Sequence, residues 1–140
     1  MLASAEAKTS FSAFQAFVHG VMANILVCLA TWLCFSARTT TDKIMAIVLP
    51  IAAFVAAGFE HSIANMFSLP LAWLIKLWGP VEFWAAIGRT PAAYPHLTIA
   101  SILANLLWVT LGNMAGGMLV GIIYWFVYLR RRAGGARIPT

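Results

Sequence analysis

Gly58-Phe59-Glu60-His61-Ser62-Ile63-Ala64-Asn65 lies inside a run of residues, 44–75, that is otherwise almost wholly apolar. As one straight helix, its roughly 32 residues would extend about 48 Å at 1.5 Å per residue. A bilayer core is only roughly 30 Å thick. An ionisable side chain at the bilayer centre costs at least about 2.5–3.5 kcal/mol on insertion scales. Non-helical backbone is tolerated at that depth only against protein or a water-filled cavity. The run therefore reads as a discontinuous helix: a first half over 44–54, a polar break near 57–62, and a second half over 63–75.

Composition sets the surroundings of that break. Hydrophobic residues make up 62% of the 140 and charged residues 9%, against about 25% charged in soluble domains. Too little polar surface is available to clothe a water-soluble globule, so the lipid bilayer is the expected solvent. Two further apolar runs, 11–36 and 99–129, complete an expected all-α membrane protein of three transmembrane spans with the middle one broken. The Pro- and Gly-rich linker over 76–98 carries Trp78, Phe83, Trp84 and Tyr94 and reads as a segment lying at the membrane interface.

The formal net charge is +5. Its distribution argues against nucleic acid as a partner: Arg130, Arg131, Arg132 and Arg137 cluster just past the last apolar run, as in a cytoplasmic membrane flank. With three spans, loop 36–43 and the tail share one side. Arg38, Lys43 and those four arginines lie there, against Lys8, Lys76 and Arg89 opposite. The positive-inside rule then places the N-terminus outside and the C-terminus in the cytoplasm. Residues 1–8 do not read as a cleavable signal peptide. Cys28 and Cys34 face different sides of one helix and suit neither a disulfide nor a chelate.

Glu60 and His61 carry the sharpest signal. One reading is a substrate or proton site; the other is a hydrogen-bonded pair that only pins the broken helix. The second half-helix starts near Ser62, so its free N–H groups and positive dipole end point into the membrane centre, where an anion is favoured. His61 can donate a hydrogen bond when neutral and adds charge when protonated. Asn65 follows one turn later. Phe54 is either an apolar constriction or plain packing.

Asn24 and Asn113 sit within the first and third spans, as interhelical glue or as ligands of a shared cavity. Gly112, Gly116, Gly117 and Gly121 have the spacing of close helix packing. Lys8 reads as a flanking anchor or as part of an electrostatic funnel for anions. His19 reads as a helix-packing residue and His96 as a loop residue. Asn105 and Trp108 receive no role. No metal-ligand spacing, phosphate loop, nucleophile or cofactor motif is present, so neither a metal, a cofactor nor an enzyme is expected.

Three stretches together resemble the formate/nitrite transporter family. They are Gly20-Val-Met-Ala-Asn24-Ile-Leu-Val-Cys28-Leu-Ala30, Gly58-Phe-Glu60-His61-Ser62-Ile-Ala-Asn65-Met66 and Val109-Thr-Leu-Gly112-Asn113-Met-Ala-Gly116-Gly117. The stretch from Glu82-Phe-Trp84 to Pro95-His-Leu-Thr98 is more similar to the formate channels. Residues 105–113 resemble the nitrite channels. The resemblance implies an aquaporin-like inverted-repeat fold, a homopentamer with one pore per protomer, and small monovalent anions or their acids as substrates, in the inner (cytoplasmic) membrane. It matches His61 to the central pore histidine, Glu60 to its neighbour and Lys8 to a vestibule lysine. Asn24 and Asn113 match pore-lining asparagines, and Phe54 a constriction residue.

The resemblance covers only the second, C-terminal three-helix repeat, over residues 1–140. A pore of that family lies between two inverted halves. The expected function is therefore formate transport, with or without a proton, in company with a complementary N-terminal repeat. The alternatives are a nitrite channel, or a non-conducting half-channel fragment or assembly partner.

Overall fold

The computed structural model describes residues 1–130, and every described regular element is helical. The elements are α1 (Leu2–Thr9), α2 (Ala13–Ser36), α3 (Thr40–Ala56), α4 (Ser62–Trp78), α5 (Val81–Ile87) and α6 (Ile99–Tyr124). A 3₁₀ turn at Pro91–Ala93 lies between α5 and α6, and a π turn at Trp125–Leu129 continues α6. Two of these stretches, Ala13–Ser36 and Ile99–Leu129, are long and apolar enough to cross a membrane by length and composition. The basic residues Arg131, Arg132 and Arg137 lie outside the described residues.

Helix starts follow local chemistry more closely than apolar runs do. The first long helix begins after Ser12, not at Phe11. The Ser12 hydroxyl accepts from the Gln15 N–H and the Gln15 side chain accepts from the Ser12 N–H, which satisfies two orphan donors. α3 begins at Thr40, four residues ahead of the apolar run, because Thr39 and Asp42 form the same reciprocal cap. The interruption between α3 and α4 occupies residues 57–61. Sequence reading missed α1 altogether: its eight residues, with Glu6 and Lys8 among them, show no apolar run.

α2 packs chiefly on α6, and the two run parallel: Phe17 meets Gly112, Val21 meets Gly116, and Trp32 stacks edge-on against Tyr124. α1 continues this line, with the Lys8 carbonyl against Asn105 of α6. α3 packs on α2, and α4 on α6 and α1. The three columns are thus α1–α2, α3–α4 and α6. The first two are both interrupted, at residues 10–12 and 57–61 respectively.

The apolar core joins α1, α4, α5 and α6 through Leu2, Ala5, Leu69, Ala72, Trp84, Tyr94, Leu97 and Ile102. Trp84 and Tyr94 are packed inside, with the Trp84 Nε1–H donating to the Gly79 carbonyl at 3.0 Å, and Trp78 alone of the two tryptophans is exposed. Lys76 closes the same loop by donating to the carbonyls of Tyr94 and Leu97 at 2.6 and 3.0 Å. α3, by contrast, buries none of its residues.

Close approach of α2 and α6 depends on absent side chains. A Cβ on Gly20 would stand 2.6 Å from the Val109 carbonyl oxygen, and one on Gly112 would collide with that of Phe17. Gly121 instead faces open space. Gly112→Ala is expected to destabilise the helix pair by about 1–3 kcal/mol or more, and Gly121→Ala to be neutral or slightly stabilising. Reversible unfolding in mixed detergent–lipid micelles checks this; equal effects of the two substitutions would contradict the packing.

Candidate functional site

The break begins where α3 closes. The N–H groups of Ala57, Gly58 and Phe59 donate to the carbonyls of Ala53, Val55 and Phe54 at 2.9, 3.1 and 3.1 Å. Gly58 then adopts φ +67°, a left-handed conformation that side chains disfavour, and the helix stops. Four residues later Ser62 starts α4.

Glu60 turns inward and is 1% exposed. Its Oε1 lies 3.1 Å from the Lys8 Nζ, and its Oε2 accepts from the Asn65 Nδ2. Lys8 also donates to the Asn65 Oδ1 at 2.9 Å. Asn65 donates further to the Asn105 Oδ1 at 3.0 Å, and the Asn105 Nδ2 returns to the Lys8 carbonyl at 2.9 Å. Lys8, Glu60, Asn65 and Asn105 thus close a ring drawn from α1, the break, α4 and α6. The ring holds one negative and one positive charge, which lets both sit in an apolar setting. Sequence reasoning missed Asn105. Its available signal was a second amide about two turns before Asn113 on the same apolar helix.

Asn113 clamps the other side of the break. Its Oδ1 accepts from the Ser62 N–H and hydroxyl, both at 2.9 Å. Its Nδ2 donates to the carbonyls of Gly20 and Glu60 at 2.8 and 3.1 Å. Its own carbonyl accepts from the Asn24 Nδ2 at 2.6 Å. Among the described residues, no buried side-chain nitrogen or oxygen lacks a partner.

The sequence-derived residues therefore separate by burial. Glu60, Asn65 and Asn113 are buried within the unit itself, with their polar atoms directed at neighbouring protein groups. His61 and Phe54 are half-buried, with ring centroids 6.2 Å apart. His61 is the N-cap residue of α4 but makes no side-chain cap bond. The next backbone donors, the N–H groups of Ile63 and Ala64, have no backbone acceptor among the described residues and lie at exposed positions. Asn24 and Lys8 are half-buried at the margins. A cavity of about 640 Å³ lined by Leu2, Glu6, Phe83, Arg89 and Tyr94 lies elsewhere, beneath the 80–98 loop. An imidazole, a phenyl ring and a helix N-terminus thus lie together at the exposed edge of the break.

Known proteins resemble this chain in sequence and in fold. Residues 1–126 match the family described as "Formate/nitrite transporter". The fold superposes on that of a solved "Pentameric formate channel with formate bound" with a TM-score of 0.83 and 49% identity, over 91% of this chain and 51% of that one. The formate channel FocA of Escherichia coli (strain K12) is 46% identical over 93% of this chain and 46% of its own length. The nitrite transporter NirC of the same strain is 40% identical over 86% of this chain and 39% of its own. The chain belongs to the formate/nitrite transporter family. It spans about half the length of the curated relatives it matches.

The buried ring makes a testable energetic statement. Lys8→Met alone leaves the buried Glu60 carboxylate without its cation and should cost about 3–5 kcal/mol, and Glu60→Gln alone should cost less because Lys8 is partly exposed. The double substitution should cost clearly less than the sum of the two. A double-mutant cycle read by unfolding in bicelles measures this, and simple additivity would mean that the two side chains are uncoupled.

Proposed function

We propose that this chain forms one wall of a channel for small monovalent anions, with formate as the principal substrate. Transport rather than catalysis is the reading that its relatives support, since those matched are channels and transporters. The observation that carries the proposal is the open edge of the break. His61 and the free N–H groups of α4 stand together there, while the one nearby carboxylate, Glu60, is turned away and neutralised by Lys8. A helix N-terminus favours negative charge, and an imidazole supplies a further donor. Phe54 beside His61 forms an apolar constriction, and Asn24 and Lys8 line the approach.

Charge transfer through such a constriction is expensive, so a weak acid crosses most cheaply when neutral. His61 either donates the proton at the midpoint or stabilises the anion. Glu60, Asn65 and Asn113 hold His61 in place. Nitrite is the second reading, supported by the 40% identity to NirC.

The wider architecture completes the proposal. The chain acts as the C-terminal half, residues 1–140, of an aquaporin-like inverted-repeat fold. It crosses the inner (cytoplasmic) membrane three times, with α3 and α4 as the broken middle span, the N-terminus outside and the C-terminus in the cytoplasm. Ile44, Leu49 and Val55 on α3 are exposed in the isolated unit. A complementary N-terminal three-helix unit, lipid and the neighbouring protomers of a homopentamer would cover such faces. The chain alone is then a non-conducting half.

Liposomes containing the chain with and without a complementary three-helix repeat test this. Formate flux is expected only with both halves. In the paired channel, replacing His61 with asparagine should lower flux at acidic pH by about tenfold or more and flatten its pH dependence, since a positioned proton donor contributes on the order of 10² or more. Unchanged flux at every pH would remove His61 from the mechanism.

A further inference from the structure

His19 takes no part in the Lys8–Glu60 ring or in the Asn113 clamp. It sits beside Gly20, which packs tightly against α6. Its Nδ1 lies 3.3 Å from the carbonyl oxygen of Gly58. Its ring packs against Phe11, with centroids 4.9 Å apart, and meets Phe59 edge-on at 5.8 Å. One side chain therefore touches both interruptions: residues 10–12 through Phe11, and residues 57–61 through Gly58 and Phe59.

A carbonyl oxygen only accepts, so a hydrogen bond at this contact requires a proton on the Nδ1 of His19. The neutral ring is then held as the Nδ1–H tautomer, with Nε2 left as an acceptor. The Gly58–Phe59 peptide becomes satisfied at both ends, its oxygen by His19 and its N–H by the Phe54 carbonyl at 3.1 Å. This peptide follows the left-handed Gly58, so its plane sets the direction in which Phe59, Glu60 and His61 leave α3. Asn113 takes hold only from the Glu60 carbonyl onward. The upstream half of the break depends on His19 and the downstream half on Asn113.

We propose that His19 is a positioning residue: it latches the Gly58 carbonyl and fixes the trajectory that presents His61 to the anion pathway. The latch stands on the geometry, and its consequence for conduction rests on the transport reading above.

The test uses the protein in bilayers with ¹⁵N-labelled histidine, together with amide exchange at Phe59. His19→Asn keeps a donor at the δ position, His19→Gln moves it to the ε position, and His19→Leu removes it. The expected results are an Nδ1–H tautomer at His19 and exchange at Phe59 faster by about tenfold or more in the Leu and Gln variants. The Asn variant should exchange slowly, like the parent. In the channel paired with its complementary repeat, formate flux should fall in the Leu and Gln variants and recover in Asn.

An Nε2–H tautomer, or equal exchange in all three variants, would overturn the latch. Exchange that separates the variants without any change in flux would overturn the positioning role. Absence of flux in the parent channel would count against the transport reading instead, because the tautomer and exchange are read without transport.

Discussion

The side-chain amide of Asn113 is the contact on which the rest of this unit depends. From the middle of α6 it reaches both other columns: Gly20 in α2, and Glu60 in the break with Ser62 at the start of α4. Each hydrogen bond contributes only about 1 kcal/mol net, but a buried polar group left without a partner costs about 1–3 kcal/mol. Loss of the amide would orphan several such groups at once. The glycines at 20 and 112 bring the backbones close enough for so short a side chain to span them. Packing and polar satisfaction are therefore one constraint here, and the broken helix is its product.

Held in this way, the break divides its polar groups by direction. Glu60, Asn65 and Asn105 face inward and, with the half-buried Lys8, satisfy one another. His61 and the first N–H groups of α4 face the open edge. The separation matters electrostatically. An uncompensated Glu60 carboxylate beside the helix N-terminus would repel an anion, whereas the ion pair with Lys8 leaves the dipole and the imidazole to set the local field. The same pairing explains how two charges can sit in an apolar setting.

Much of this was legible in the sequence, and the limits follow from physics. The break was readable because a Gly-Phe-Glu-His-Ser interruption in an apolar run is too costly to be incidental. The family was readable from three separated motifs. What could not be read was who meets whom. Asn105 reaches the Lys8 carbonyl across 97 positions, and Asn113 reaches Gly20 across 93. No local pattern encodes such pairings. α1 was missed because eight residues of mixed polarity carry no periodic signal. Trp84 and Tyr94 join a core with α1 and α4 that the linker's composition does not announce. The caps at Ser12 and Thr39, by contrast, were present as local patterns and shift helix starts away from the edges of the apolar runs.

The central claim is that the break presents His61 and the α4 N-terminus to the anion. The most direct measurement is a dipolar-coupling distance, in bilayers, between the carbon of ¹³C-formate and the ring nitrogens of His61 in the channel paired with its complementary repeat. A hydrogen-bonded anion should place them about 3.5–4 Å apart, with a second coupling to the amide nitrogen of Ile63 or Ala64. Formate that binds and permeates with no measurable coupling to His61 would contradict the account.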